Sequence, residues 1–281
     1  MSITKMGSLP LLFAVLVLGV TTVRGWARTC SLETLKGSYG MDEAGTIVGP
    51  PPLLYVLSGI SFFDGNGNLS GSVTVNLGTP VAGTFTGTYT VDSDCTYSDS
   101  VEAVFPPPLG STPLHHKGTV VGDGMSQEIL VIGTDPGNAS AATFRKTPVG
   151  RCSLATLKGR YGVLEQGEFV ATIPLPPPLP PLFPKGPFVN TANVTFDGAG
   201  HLSGEYIAVI GDGTVRQGDF SGTYTVGSDC KYTDEFTVTG TPVPGLTLHH
   251  QGSIAGEGML QEVHYVYTDP ISVVSGTGKK Q

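Results

Sequence analysis

Threonine and apolar residues take turns through residues 84–91, which read Thr-Phe-Thr-Gly-Thr-Tyr-Thr-Val. On an extended strand that order puts Phe85, Gly87, Tyr89 and Val91 on one face and the four threonines on the other. Similar alternation marks residues 39–46, 56–63, 69–75, 96–104, 114–121, 126–134 and 141–146. Several links are hairpin-short and rich in Gly, Asp and Asn, as at 64–68, 92–94 and 122–124, and no stretch is long and periodic enough to be a crossover helix. An antiparallel meander follows. Eight such strands hide their edges best by closing into an up-and-down barrel, with a sandwich as the alternative. Ahead of the first strand, residues 31–36 read as one capped helical turn ended by Gly37.

The whole series then recurs. CSLETLKGSYG from Cys30 returns as CSLATLKGRYG from Cys152, GTFTGTYTVDSDCTYSD from Gly83 as GDFSGTYTVGSDCKYTD from Gly218, and LHHKGTVVGDGMSQE from Leu114 as LHHQGSIAGEGMLQE from Leu248. A unit of that length is domain-sized. The expected fold is therefore all-β: two tandem eight-stranded antiparallel up-and-down barrels, each with a short N-terminal helical turn, over residues 28–148 and 149–281. The linker at 147–151 is short enough to hold them in a nearly fixed relation.

Composition agrees, with 40 Gly and 22 Pro in 281 residues and only 14% charged residues. The formal charge of −8 argues against nucleic acid or an anionic membrane as partner. Lys5 precedes an apolar run at 9–20 too short to span a bilayer comfortably, and Gly25 and Ala27 offer the small residues of a cleavage site, so residues 1–27 read as a signal peptide. The mature chain is expected to be secreted, periplasmic or at the cell surface, with no transmembrane span and without Trp26, the one Trp.

Export places four cysteines in an oxidising compartment, and only the pairings Cys30–Cys95 and Cys152–Cys230 treat the two copies alike. Parity supports them. In a meander the chain entrance and the even-numbered connections lie at one end; Cys30 sits at the entrance and Cys95 in the fourth connection. The bridge would pin the helical turn across a barrel floor. Pro50-Pro51-Pro52, Pro80, Pro106-Pro107-Pro108 and Pro136 fall in odd connections, so a Pro-stiffened mouth should open opposite, with the run from Pro174 to Pro181 as a lip in the second copy.

The same alternation nominates a lumen. Glu43, Tyr89, Asp99 and His116 face inward in the first copy, and Glu165, Tyr224, Asp234 and His250 in the second, with His115 and His249 outward. A low dielectric would raise the carboxylate pKa values and lower those of the histidines, as general acid–base work requires. The alternative is that these are hydrogen-bonded core groups. No metal is expected, because adjacent His residues on a strand point apart and the loop opened by Asp64 has Val75 where a calcium loop needs Glu. No cofactor or nucleophile motif is present.

Leu35-Lys36-Gly37-Ser38-Tyr39-Gly40, Phe63-Asp64-Gly65, Gly87-Thr88-Tyr89-Thr90-Val91 with Asp94-Cys95, and Thr134-Asp135-Pro136 resemble repeats in exported bacterial proteins of unknown function. A capped turn followed by Gly-x-Tyr is similar to the Gly-x-Trp entrance of calycins, and allene-oxide-cyclase-like and dirigent barrels are the other architectural likeness. The resemblance implies a small apolar or amphipathic ligand in the lumens. A cyclase or isomerase, and a cell-surface structural or adhesive protein, are the alternatives.

Overall fold

The computed structural model describes residues 29–170, 185–241 and 245–281. The expected signal peptide and the run from Pro174 to Pro181 lie outside the described residues.

Barrel 1 comprises β1 (Gly37–Ile47), β2 (Leu53–Phe63), β3 (Asn68–Asn76), β4 (Pro80–Val91), β5 (Thr96–Val104), β6 (Ser111–Val121), β7 (Glu128–Gly133) and β8 (Asn138–Lys146). Barrel 2 comprises β9 (Gly159–Phe169), β10 (Gly186–Phe196), β11 (His201–Val209), β12 (Val215–Val226), β13 (Lys231–Val238), β14 (Leu246–Ala255), β15 (Glu262–Tyr267) and β16 (Ser272–Lys280). Each strand pairs antiparallel with its sequence neighbours, and β1–β8 and β9–β16 close the two barrels. Closure leaves no sheet edge to protect, which explains how a chain with so little helix solves its edge problem. β2, β4, β6 and β8 begin three or four residues earlier than the alternation suggested, and β7 begins later because Gly124–Ser126 forms a 3₁₀ turn.

Phe85, Tyr89 and Val91 are buried in barrel 1 as the alternation requires, and an eight-stranded barrel is just wide enough for such side chains to fill. At the floor, Phe63 meets Tyr39, Tyr89, Tyr97 and Phe144 edge to face, and Phe196 takes the same place in barrel 2. The expected helical turn is a 3₁₀ turn, Leu32–Leu35, with Ser31 and Thr34 closing a capping box; Leu154–Leu157 repeats it. Leu35 and Leu157 are fully buried as plugs. Disulfides Cys30–Cys95 and Cys152–Cys230 close loops of 65 and 78 residues beneath them.

The two barrels pack flank to flank. Thr147 N–H donates to Ser38 O at 3.0 Å, Gly256 N–H to Lys146 O at 2.8 Å and Val149 N–H to Glu257 Oε1 at 2.6 Å, so the linker is clamped at both sides. Asn76 donates its amide to Tyr267 O and Ser272 O at 2.7 and 2.6 Å, and Val56 packs with Val266 and Val273. The barrels approach closely at Gly40: a Cβ on it would lie 2.5 Å from Ser253 Oγ, so that side chain would have to turn away. His264, buried in this seam, has Nδ1 2.9 Å from Asp42 Oδ1 and Nε2 3.1 Å from Glu262 Oε2, while Arg145 pairs with Glu262 and, at 3.2 Å, Glu128.

Candidate functional site in the barrel lumens

Asp99 and His116 are directly opposed on β5 and β6, which explains why two residues so far apart in sequence share one carboxylate's reach. The His116 main-chain N–H donates to Asp99 Oδ1 at 3.2 Å and the ring Nδ1 to the same oxygen at 2.8 Å. A carboxylate only accepts, so Nδ1 carries the proton and Nε2 is turned toward Glu43, 3.9 Å away. Tyr97 donates to Asp99 Oδ2 at 2.7 Å, and Tyr55 to Glu43 Oε1 at 2.6 Å. The result is a buried Tyr–Asp–His–Glu–Tyr chain through the lumen of barrel 1.

Barrel 2 builds the same chain with a heavier end. His250 donates its main-chain N–H to Asp234 Oδ1 at 3.0 Å, its Nδ1 lies 3.2 Å from that carboxylate, Tyr232 donates to Asp234, and Nε2 lies 3.9 Å from Glu165 Oε1. Glu165 accepts three bonds: Tyr265 at 2.6 Å, Tyr267 at 2.8 Å and the Asn190 amide at 2.7 Å. Gly276, opposite Glu165 on β16, makes room; a Cβ there would strike the Tyr265 ring at 2.5 Å. Phe236, Tyr265 and Tyr267 enclose the His250 imidazole.

These contacts correct the electrostatic expectation. Burial alone would lower the His116 and His250 pKa values. The hydrogen bonds and charges of Asp99 and Asp234, with Glu43 and Glu165 beyond, outweigh it, and both imidazoles titrate above the ordinary histidine value. Desolvation, reinforced by the adjacent carboxylates, raises Tyr55, Tyr97, Tyr232, Tyr265 and Tyr267, so all five phenols remain donors.

Glu43 lies midway along β1, where its bond to Tyr55 holds it beside His116. Tyr89 and Tyr224 are inside but belong to the floor, donating to Leu32 O at 3.0 Å and Leu154 O at 2.9 Å across the plug. The outward His115 is held by the turn after β7: its main-chain N–H and Nδ1 reach the two oxygens of Asp135 at 2.7 and 2.6 Å, and His249 does the same with Asp269. The adjacent histidines are thus each gripped by a different aspartate on opposite faces of one strand. Asp64 closes its hairpin turn by accepting Asn66 N–H, Asn68 N–H and the Asn68 amide. Among the described residues there is no cluster of three or more His, Cys, Asp or Glu fit for a metal.

The lumens differ in free space. Barrel 2 holds a cavity of about 70 Å³, walled by Phe188, Phe196, Phe220 and Phe236 and reaching Arg216 toward the mouth; its counterpart in barrel 1, beside Met41, Leu57 and Phe105, is about 30 Å³. Asn190, Arg216, Tyr265 and Tyr267 were missed from the sequence. The available signal was a difference between copies: the opposed pairs that place Tyr265 and Tyr267 in barrel 2 place Val131 and Gly133 in barrel 1.

Among known proteins, no family model, no curated protein and no solved structure matches this chain.

Proposed function

We propose that this is an exported binding protein that holds a small apolar or amphipathic molecule in its barrel lumen, with barrel 2 as the working site. The observation that carries this reading is the apolar cavity of about 70 Å³ in barrel 2, with hydrogen-bonding groups buried on one side of it. A water needs roughly 10–15 Å³ of such space, so barrel 1, at about 30 Å³, has room for little besides water. An apolar chamber with a few convergent polar groups is the usual form of a small-molecule site. The disulfides suit an oxidising compartment, and the expected leader and the likeness to exported bacterial repeats and calycins belong to the same reading.

Native mass spectrometry of the purified full-length chain is the test. A bound mass retained in gentle conditions, released on unfolding and lost in Ala192→Leu, which fills the cavity, is the expected result. A bare protein mass that also takes up no neutral apolar probe would overturn the proposal.

A cyclase or isomerase is the second reading. The Asp234–His250–Glu165 arrangement favours it, because an imidazole held between two carboxylates is able to take up and release a proton. Conversion of the retained molecule to an isomer, abolished in His250→Gln, is its signature.

A further inference from the structure

One lateral row of barrel 2 differs in kind from its counterpart. Glu165, Asn190, Ala208 and Arg216 are successively opposed across β9, β10, β11 and β12, and all four line the cavity. The same row in barrel 1 reads Glu43, Leu57, Val75 and Val81. The glutamate is common to both; beyond it, an amide, a small gap and a guanidinium replace three aliphatic side chains.

Two of these newcomers are unfinished. Asn190 commits its NH₂ to Glu165, and its Oδ1 is buried with no partner among the described residues; Arg216 Nε is buried and unpartnered as well. A third such atom, His250 Nε2 on β14, faces the same cavity, 3.9 Å from Glu165. Buried polar atoms are ordinarily paired, so three on one cavity call for a common partner.

Their chemistry constrains it. Asn190 Oδ1 only accepts, so the partner must donate there; Arg216 only donates, and an anion answers it best. A plain alcohol donates to the first but brings no charge to the second, and a plain carboxylate does the reverse. Glu165 repels an anion at its own end of the row, so the charge belongs at Arg216. The backbones of Asn190 and Arg216 are two strand spacings, about 10 Å, apart, with the small Ala208 between them.

On the strength of the lumen-binding function proposed above, we infer that barrel 2 selects a hydroxycarboxylic acid: carboxylate on Arg216, hydroxyl donating to Asn190 Oδ1, hydrocarbon against the phenylalanine wall. The hydroxyl oxygen is free to accept from His250 Nε2 when the imidazole is protonated.

Calorimetric titration of the full-length chain with four probes separates the terms: 3-hydroxyoctanoate, octanoate, methyl 3-hydroxyoctanoate and methyl octanoate. Removing the hydroxyl and removing the charge should each weaken binding about tenfold, the scale of one hydrogen bond left unmade to a buried group. Arg216→Val should erase the preference for acid over ester while keeping that for the hydroxyl, with Arg216→Lys restoring part of it. Asn190→Leu should do the converse. Both install the residue barrel 1 already carries, and each preference is a ratio within one variant, so a general loss of affinity cancels. If methyl octanoate binds the parent chain as well as 3-hydroxyoctanoate does, the hydroxy-acid assignment is wrong and the lumen site stands. If none of the four binds, both fall.

Discussion

Barrel 1 and barrel 2 share a skeleton and part company around one glutamate. In both, a His is held by an Asp across the fifth and sixth strands, with a second carboxylate 3.9 Å beyond. In barrel 1 that carboxylate has Tyr55 and an aliphatic row beside it; in barrel 2 it has Tyr265, Tyr267 and Asn190, a cavity more than twice as large, and Arg216 on the far side. The shared part is therefore best explained as architecture, a charged crosspiece holding opposite walls of a barrel together. The divergent part is where the proposed ligand site lies. A buried, perturbed histidine is the conventional flag for function, yet here it is present in the copy with almost no room for a ligand.

If the crosspiece is architectural, its loss should cost both barrels alike. His116→Leu leaves Asp99 and Glu43 in the lumen without their imidazole partner, and His250→Leu does so to Asp234 and Glu165; removing one partner of a buried pair costs about 3–5 kcal/mol. Urea unfolding followed by circular dichroism should show comparable losses. A severe loss in barrel 1 with none in barrel 2 would break the comparison, since it would make His250 dispensable to the fold and reserved for chemistry.

The disulfides should also weigh equally. Opening Cys30–Cys95 or Cys152–Cys230 by paired Cys→Ala substitution releases loops of 65 and 78 residues, and chain entropy sets each loss at roughly 4 kcal/mol. The closeness of the two values is the point to check, again by urea unfolding.

How much of this could be read from the chain alone depends on what alternation carries. Period two sorted Phe85, Tyr89, His116 and Asp99 to the inside without error, and counting connections placed Cys30 and Cys95 at one end. Alternation is silent about register, however, and register decides that Asp99 lies opposite His116, which is why the histidine pKa was expected to fall and instead rises. It is equally silent about depth, so Tyr89 looked like a lumen group and proved to be a floor bolt. Residues common to both copies do not include Asn190 and Arg216, on which the proposed ligand site rests, because these two exist in one copy only.

The hydroxyls around the two glutamates sharpen the contrast further. Tyr55→Phe takes from Glu43 its one tyrosine bond, whereas Tyr265→Phe leaves Glu165 with Tyr267 and Asn190. A hydrogen bond to a charged group contributes about 1.5–3 kcal/mol, so the barrel 1 substitution should fall in that range and the barrel 2 substitution below it. Equal losses would mean that the three bonds to Glu165 are not mutually supporting.

The smallest effect expected is a pH dependence, and its sign follows from the carboxylates. Both imidazoles bind protons more tightly in the folded chain than in the unfolded one, where a histidine titrates near about 6.5. The stabilisation is therefore complete below that value and is lost as pH rises through the raised folded-state values, because the folded state then gives up protons that the unfolded state has already released. Asp135 runs the other way: burial, the largest single effect, pushes its pKa up, but the hydrogen bonds and charge of His115, with His116 beyond, together outweigh it and hold the pKa below the usual carboxylate value, so its contribution is present above about 4 and fades as pH falls through the lowered value. Thermal unfolding between pH 5 and 9 should show a decline on the alkaline side that His116→Leu and His250→Leu each remove in part. Were the decline to vanish wholly in one variant, a single barrel would own the proton, and the two crosspieces would be alike in geometry but not in charge.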